Sequence, residues 1–143
     1  MHPISEILCS VYKDLAAREG IRFPLQSIHQ DRLDTIVNVV EGKFWDHEHF
    51  PTKQKRAAAY LCHIIKGHPV TEGNKRLAVL WLQIYCDAFE LKTDLLWTLD
   101  RLAVAIEAQV SINDELIDFA EQAIFNGSAV RARLKSRGYN INE

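Results

Sequence analysis

Nothing in the 143-residue sequence approaches an apolar run long enough to span a bilayer, and the N-terminus lacks a basic region followed by an apolar stretch. The expectation is a protein of the reducing cytoplasm with no membrane partner. Cysteine is scarce. Cys9, Cys62 and Cys86 are odd in number, lie among apolar neighbours and match no zinc spacing, so buried reduced thiols are expected. An excess of one charge sign is missing too: a net charge of −2 disfavours a general binder of nucleic acid or anionic membrane. Strand-type alternation persists nowhere, and there is no repeat, linker or low-complexity segment. What is present, 48% hydrophobic and 25% charged residues, suits a single globular domain over 1–143, read as an all-α bundle.

The helices can be placed by their apolar spacing. Ile4, Ile7, Leu8, Val11, Tyr12 and Leu15 share one face of a first helix that ends near Gly20. A second runs from Ser27 or Asp31 to Val40 and stops at Gly42. Thr52 is a fair N-cap for a third, Lys53 to Lys66, closed by Gly67. A fourth, Asn74 to about Phe89, is apolar nearly all round, which puts it at the centre of the bundle. Amphipathic helices follow near Asp94–Val110 and Asn113–Phe125. Ser128 can then cap a short basic tail helix, whose Arg131, Arg133, Lys135 and Arg137 read as a solvated face. Segment 43–52, KFWDHEHFPT, sustains neither period. Two readings stay open for it: an extended flap or short hairpin, and an irregular loop pinned by Phe44, Trp45 and Phe50.

Between the third and fourth helices lies His68-Pro69-Val70-Thr71-Glu72-Gly73-Asn74-Lys75-Arg76. Pro69 and Gly73 make it a loop, and the helix behind it opens with unpaired N–H groups and the positive end of a dipole. Such a place suits phosphate, and Lys75 and Arg76 add two full charges. His68 can accept a proton from an attacking hydroxyl. Glu72 can hold Mg²⁺ together with phosphate oxygens and water. Gly73 allows close approach of an anion, and Asn74 can donate from its amide. Taken singly, each of these residues has an ordinary structural or solvated reading; nine in a row do not.

This stretch resembles the Fic/Doc signature, HPFx(D/E)GN(G/K)R, and most closely its death-on-curing (Doc) branch, which carries lysine after the asparagine. The lead-in FPTKQKRAAAYLCHIIKGHP is similar as well, and the likeness extends from about Leu33 to Phe89. It implies a compact helical bundle of six or seven helices with His68 as general base and Glu72 as metal-holding acid. Gly73 and Asn74 match its anion-binding turn, Lys75 and Arg76 its phosphate-binding cations, and Phe44, Trp45 and Phe50 fall in a target-positioning flap. It further implies ATP as substrate and Mg²⁺ as cofactor. The expected reaction is phosphoryl transfer to a serine or threonine hydroxyl of a translation elongation factor, by a toxin under antitoxin control. AMP transfer is the alternative; against it, Val79 stands where AMP-transferring members carry a second arginine. Val70 replaces the phenylalanine that anchors the loop, so a catalytically silent module on the same fold stays open, unless a neighbour such as Trp81 fills the space. Glu41-Gly42 has the ending of the inhibitory motif found in many relatives, but lacks its hydroxyl residue and the arginine partner, and reads as an ordinary helix end.

Two rivals come from other classes. Arg56 and His63 have the spacing of the Rx4–6H motif of HEPN-type ribonucleases, a spacing that chance supplies easily. His47, His49, Cys62, His63 and His68 offer zinc ligands in no closed tetrahedral set.

Overall fold

A computed structural model describes residues 1–140, with the side chain of Phe44 outside the description. Among the described residues there are seven helices: α1 (Pro3–Glu19), α2 (Ser27–Glu41), α3 (Lys53–Gly67), α4 (Asn74–Ala88), α5 (Leu99–Glu107), α6 (Asp114–Phe125) and α7 (Gly127–Ser136). The all-α bundle expected from the sequence is the fold observed. The one sheet among the described residues is a hairpin of β1 (Lys43–Phe44) and β2 (His47–Glu48), paired Lys43 to Glu48 and Phe44 to His47.

The central helix is α3, not α4 as the apolar run suggested. It packs against α2, α4, α5 and α6, whereas α4 packs on α1, α3 and α5. Ala57, Ala58 and Ala59 explain the difference. With nothing beyond a methyl group they let neighbours close in from several sides, and the whole run Ala57–Cys62 has no exposure. On α4 one face meets the core through Leu77, Ala78, Trp81, Leu82 and Tyr85, while Val79, Leu80 and Ile84 stay half-buried. Aromatic rings seal the α3–α4 seam: Tyr60 stands edge-on to Trp81 (centroids 5.7 Å) and tilted to Tyr85 (5.2 Å).

The fifth helix begins later than its pattern implied. Asp94 and Leu96 donate their N–H groups to Ile124 O (2.7 Å) and Ala123 O (2.8 Å) at the end of α6, so this stretch is not helical. Thr98 then caps α5 by accepting from Arg101 N. Asp94 also supplies what Ser128 was expected to supply, its carboxylate accepting from Ser128 N (3.1 Å) and Oγ (2.8 Å) at the start of α7. Gly127 is forced by this crossing, since a Cβ there would lie 2.3 Å from Leu96 N. Cys9, Cys62 and Cys86 are free and buried as expected, and burial pushes the Cys62 thiol up to about 12.

If α3 is the packing centre, Leu61→Ala, at a site with no exposure, costs about 2–5 kcal/mol in equilibrium denaturation. Leu80→Ala on the half-buried face of α4 costs about 1 kcal/mol.

Candidate functional site

The signature turn joins the end of α3 to the start of α4. His68 follows Gly67 in the left-handed region (φ 45°, ψ 57°), and this closes α3 and turns the imidazole outward into solvent. Pro69 and Val70 then dip into the core, Thr71 and Glu72 return to the surface, and Gly73 (φ 90°) starts α4.

Asn74 holds the turn shut. It is buried; its Oδ1 accepts from Val70 N (3.1 Å) and its Nδ2 donates to Val70 O (2.8 Å). These two bonds satisfy both backbone groups of Val70 and fix which way the amide points. Val70 is itself buried, so the turn is anchored without the phenyl ring of the family pattern. The same Nδ2 lies 3.4 Å from His68 Nδ1. Facing a donor, Nδ1 is the acceptor nitrogen, and the neutral ring carries its proton on Nε2. A base acting through Nε2 needs that proton on Nδ1 instead, which so long a contact does not prevent.

Two more elements brace the turn. From α1, Tyr12 donates its phenol to Glu72 O (2.8 Å). From α2, His29 accepts from Gln26 N at Nδ1 (3.0 Å), which leaves its Nε2–H to donate to Thr71 Oγ1 (3.2 Å). Neither residue stood out in the sequence, where Tyr12 read as one core position of α1. They act across 60 and 42 positions, and no local pattern announces such contacts.

The groups expected from the sequence to face an anion lie at the start of α4. The first helical bond of α4 runs from Leu77 N to Gly73 O, so the N–H groups of Asn74, Lys75 and Arg76 have no intrahelical acceptor. Lys75 leans to one flank, to Glu107 on α5 (3.2 Å), and Arg76 to the other, to Glu19 on α1 (3.5 Å). Both pairs are exposed and therefore weak, worth about 0–1 kcal/mol. Gly73 has a structural reason besides any anion: a Cβ there would meet Ile21 Cδ1 at 2.9 Å. Glu72 is exposed at the lip. Among the described residues no group of three or more His, Cys, Asp or Glu side chains could hold a metal ion, which leaves the zinc reading without a site. A cation at Glu72 would draw its other ligands from phosphate oxygens and water, as Mg²⁺ does.

Segment 43–52 unites the two readings left open for it. It is a hairpin, turned by Trp45 and Asp46, and it is pinned by Phe50, whose ring is buried and stacked on His49 (4.2 Å). Trp45 is 82% exposed at the tip. Phe50 is thus an anchor, whereas Trp45 is offered to solvent.

Arg56 and Glu41 need correction. Glu41 is no ordinary helix end: its carboxylate is 8% exposed and accepts from Tyr60 OH (2.8 Å), Tyr85 OH (3.1 Å) and Arg56 Nη1 (3.4 Å). Arg56 also donates through Nε to Phe50 O (2.8 Å) and pairs with Glu48 (3.1 Å). With its guanidinium so engaged it does not face a scissile phosphate, and His63 is half-buried, its basicity lowered by burial and then by His49. The ribonuclease reading loses its cation.

A family model described as Fic/DOC family matches residues 5–86, more than half of the chain and all of the signature turn. Comparison with curated proteins and with solved structures found no match.

Removing the clamp tests the geometry: Asn74→Ala orphans Val70 N–H and C=O at about 1–3 kcal/mol each, read by chemical denaturation. A second expectation concerns alkali. Burial, then the Glu41 charge, raises the phenols of Tyr60 and Tyr85; burial, then Glu72, raises that of Tyr12. A raised folded-state value gives stability that is complete below the ordinary 10.0 and lost as pH climbs beyond it. Denaturation midpoints should therefore fall above about pH 10, and Tyr60→Phe should flatten that fall.

Proposed function

The chain belongs to the Fic/DOC family, and from that premise we propose that it is a protein kinase of the Doc branch, transferring the γ-phosphoryl group of ATP to a protein hydroxyl. Family members are typically transferases that move AMP or phosphate onto proteins. One observation carries the reading: around the buried Pro69, Val70 and Asn74 the turn exposes His68, Thr71, Glu72, Lys75 and Arg76, with three N–H groups free of intrahelical partners and a cation on each flank. A triphosphate laid across this turn meets the N-terminus of α4 and both cations. Lys75 and Arg76 give up only weak exposed pairs to reach it.

In the proposed reaction His68 takes the proton of a serine or threonine hydroxyl as its oxygen attacks the γ-phosphorus; the bond to the β-phosphate oxygen breaks and ADP leaves. Glu72 would hold Mg²⁺, which neutralises charge on the phosphates. The preference for phosphoryl over AMP transfer rests on Lys75 and Val79. Val79 lines a cleft of about 240 Å³ with Lys75, Arg76 and Asp100, where a second arginine would bring a third cation and valine brings none. The exposed Trp45 hairpin suits main-chain alignment of a protein target. By resemblance to the Doc branch, that target is a translation elongation factor, control falls to an antitoxin, and the setting is the cytoplasm. The buried, clamped Val70 argues for a built turn and against a silent module.

The test is incubation with γ- and α-labelled ATP and a cell lysate. Transfer of the γ label alone is expected; transfer of the α label means AMP transfer, and transfer of neither sinks the enzyme reading. His68→Ala should lower labelling about 10²–10⁴-fold. If Lys75→Gly leaves γ transfer unchanged, this account of nucleotide orientation is wrong.

A further inference from the structure

The hairpin is poorly secured by its own backbone. Each strand contributes two residues, and an isolated two-stranded hairpin is marginal in water. Its turn residues, Trp45 (φ 51°) and Asp46 (φ 65°), occupy a region that hairpin turns usually fill with asparagine and glycine. Something outside the hairpin must hold it in place.

Among the described residues, one polar group that reaches it from the bundle is the guanidinium of Arg56. This side chain is 10% exposed; its Nε reaches Phe50 O, Nη1 the buried Glu41 and Nη2 Glu48 on β2, and the Tyr85 phenol also lies against it. Glu41 in turn receives two phenol hydroxyls, from Tyr60 on α3 and Tyr85 on α4, so its carboxylate is fixed from the core side. Burial and the Glu41 charge both favour the neutral phenols, which remain donors. The far end differs, because Glu48 is 41% exposed and water can compete for it. The series Tyr60 and Tyr85, Glu41, Arg56, Glu48 thus runs from buried core to exposed surface, and its last bond is the one most open to water.

We propose that Arg56 is a positioning residue that latches the hairpin to the bundle, with Glu41 as buried anchor and Glu48 as the point of release. Glu41 never touches the hairpin strands in this scheme; it acts on them through Arg56. Releasing the Glu48 pair frees β1, β2 and the exposed Trp45 to swing about Phe50, which stays in the core. The hairpin therefore has a docked and a released state, and a partner that competes for Glu48 or Arg56 selects between them. That the docked hairpin aligns a protein target rests on the function proposed above; that it is latched through Arg56 does not.

The experiment reads residue-by-residue amide exchange in the full chain. His49 N–H donates to Gly42 O (3.3 Å) across the base of the hairpin and reports its opening, while the amides of Tyr60–Ile64 report the core. Glu48→Ala, at a surface position, is expected to speed exchange at His49 about fivefold and leave the core amides at wild-type rates. Glu41→Gln keeps an acceptor for the two phenols but removes the charge that holds Arg56, and should speed His49 to a similar degree. The double variant should go no further than the faster single variant, because both act through one path. Unchanged exchange at His49 in Glu48→Ala overturns the latch, and so does an equal rise in the core. Additive effects in the double variant overturn the relay from Glu41. Should Glu41→Gln loosen the whole bundle, Arg56→Lys decides: a single ammonium cannot bridge both carboxylates and Phe50 O, so faster exchange at His49 alone supports the latch, and wild-type exchange refutes it. Acceptor labelling from γ-labelled ATP is a separate readout, whose failure would count against the kinase reading and not against the latch.

Discussion

The structure depends on one helix being buried along most of its length. Fifteen residues of α3, about 22 Å, must meet α2, α4, α5 and α6, and three successive alanines make that possible. A larger side chain at any of them would push a neighbour outward and open the seam that Tyr60, Trp81 and Tyr85 fill. Because the shaft of α3 is spent on packing, its chemistry gathers at the ends. Arg56 sits in the first turn and binds the hairpin; His68 sits just past the last turn and faces solvent. The two ends are joined by a rigid rod, so the spacing between hairpin base and signature turn is set by helix rise.

Around the signature turn, rigid and yielding parts are sharply divided. Its backbone is held by Asn74 from within, Tyr12 from α1 and His29 from α2, each through a hydrogen bond of 3.2 Å or less. A turn braced from three directions is preorganised, which is the condition under which N–H groups and a helix dipole stabilise charge most effectively. The charged side chains, by contrast, lie in weak surface pairs or stand in solvent.

The sequence carried the signature because nine consecutive residues hold its chemistry; contiguity makes a motif legible. It also carried the helix boundaries wherever glycine, proline or a capping threonine punctuated them, as at Gly20, Gly42 and Thr52. It did not carry what depends on distant partners. Tyr12 and His29 look like any core tyrosine and helix histidine until the fold brings the turn beside them. Glu41 and Arg56 each suggested something else, a bare helix end and half of a ribonuclease pair, since their common hub exists only when α2, α3 and α4 meet. The centre of the bundle was misplaced for a related reason. Apolar content along α4 exceeds that of α3, but burial follows what can be approached closely, and alanine outranks leucine there.

The paired state of Lys75 and Arg76 bears on how such a turn works without a ligand. Two cations left bare beside a dipole's positive end would repel each other and the helix terminus; Glu107 and Glu19 offset that repulsion from opposite flanks. Being exposed, these pairs hold the side chains apart without holding them fast. If the turn holds a triphosphate as proposed, an anion of several charges could gain more than either carboxylate supplies, by meeting the cations and the helix N–H groups together. A singly charged ion meets only part of that set and gains little over the resident pairs. On the function proposed above, the arrangement would favour a polyphosphate over a monovalent anion, with no closed pocket required.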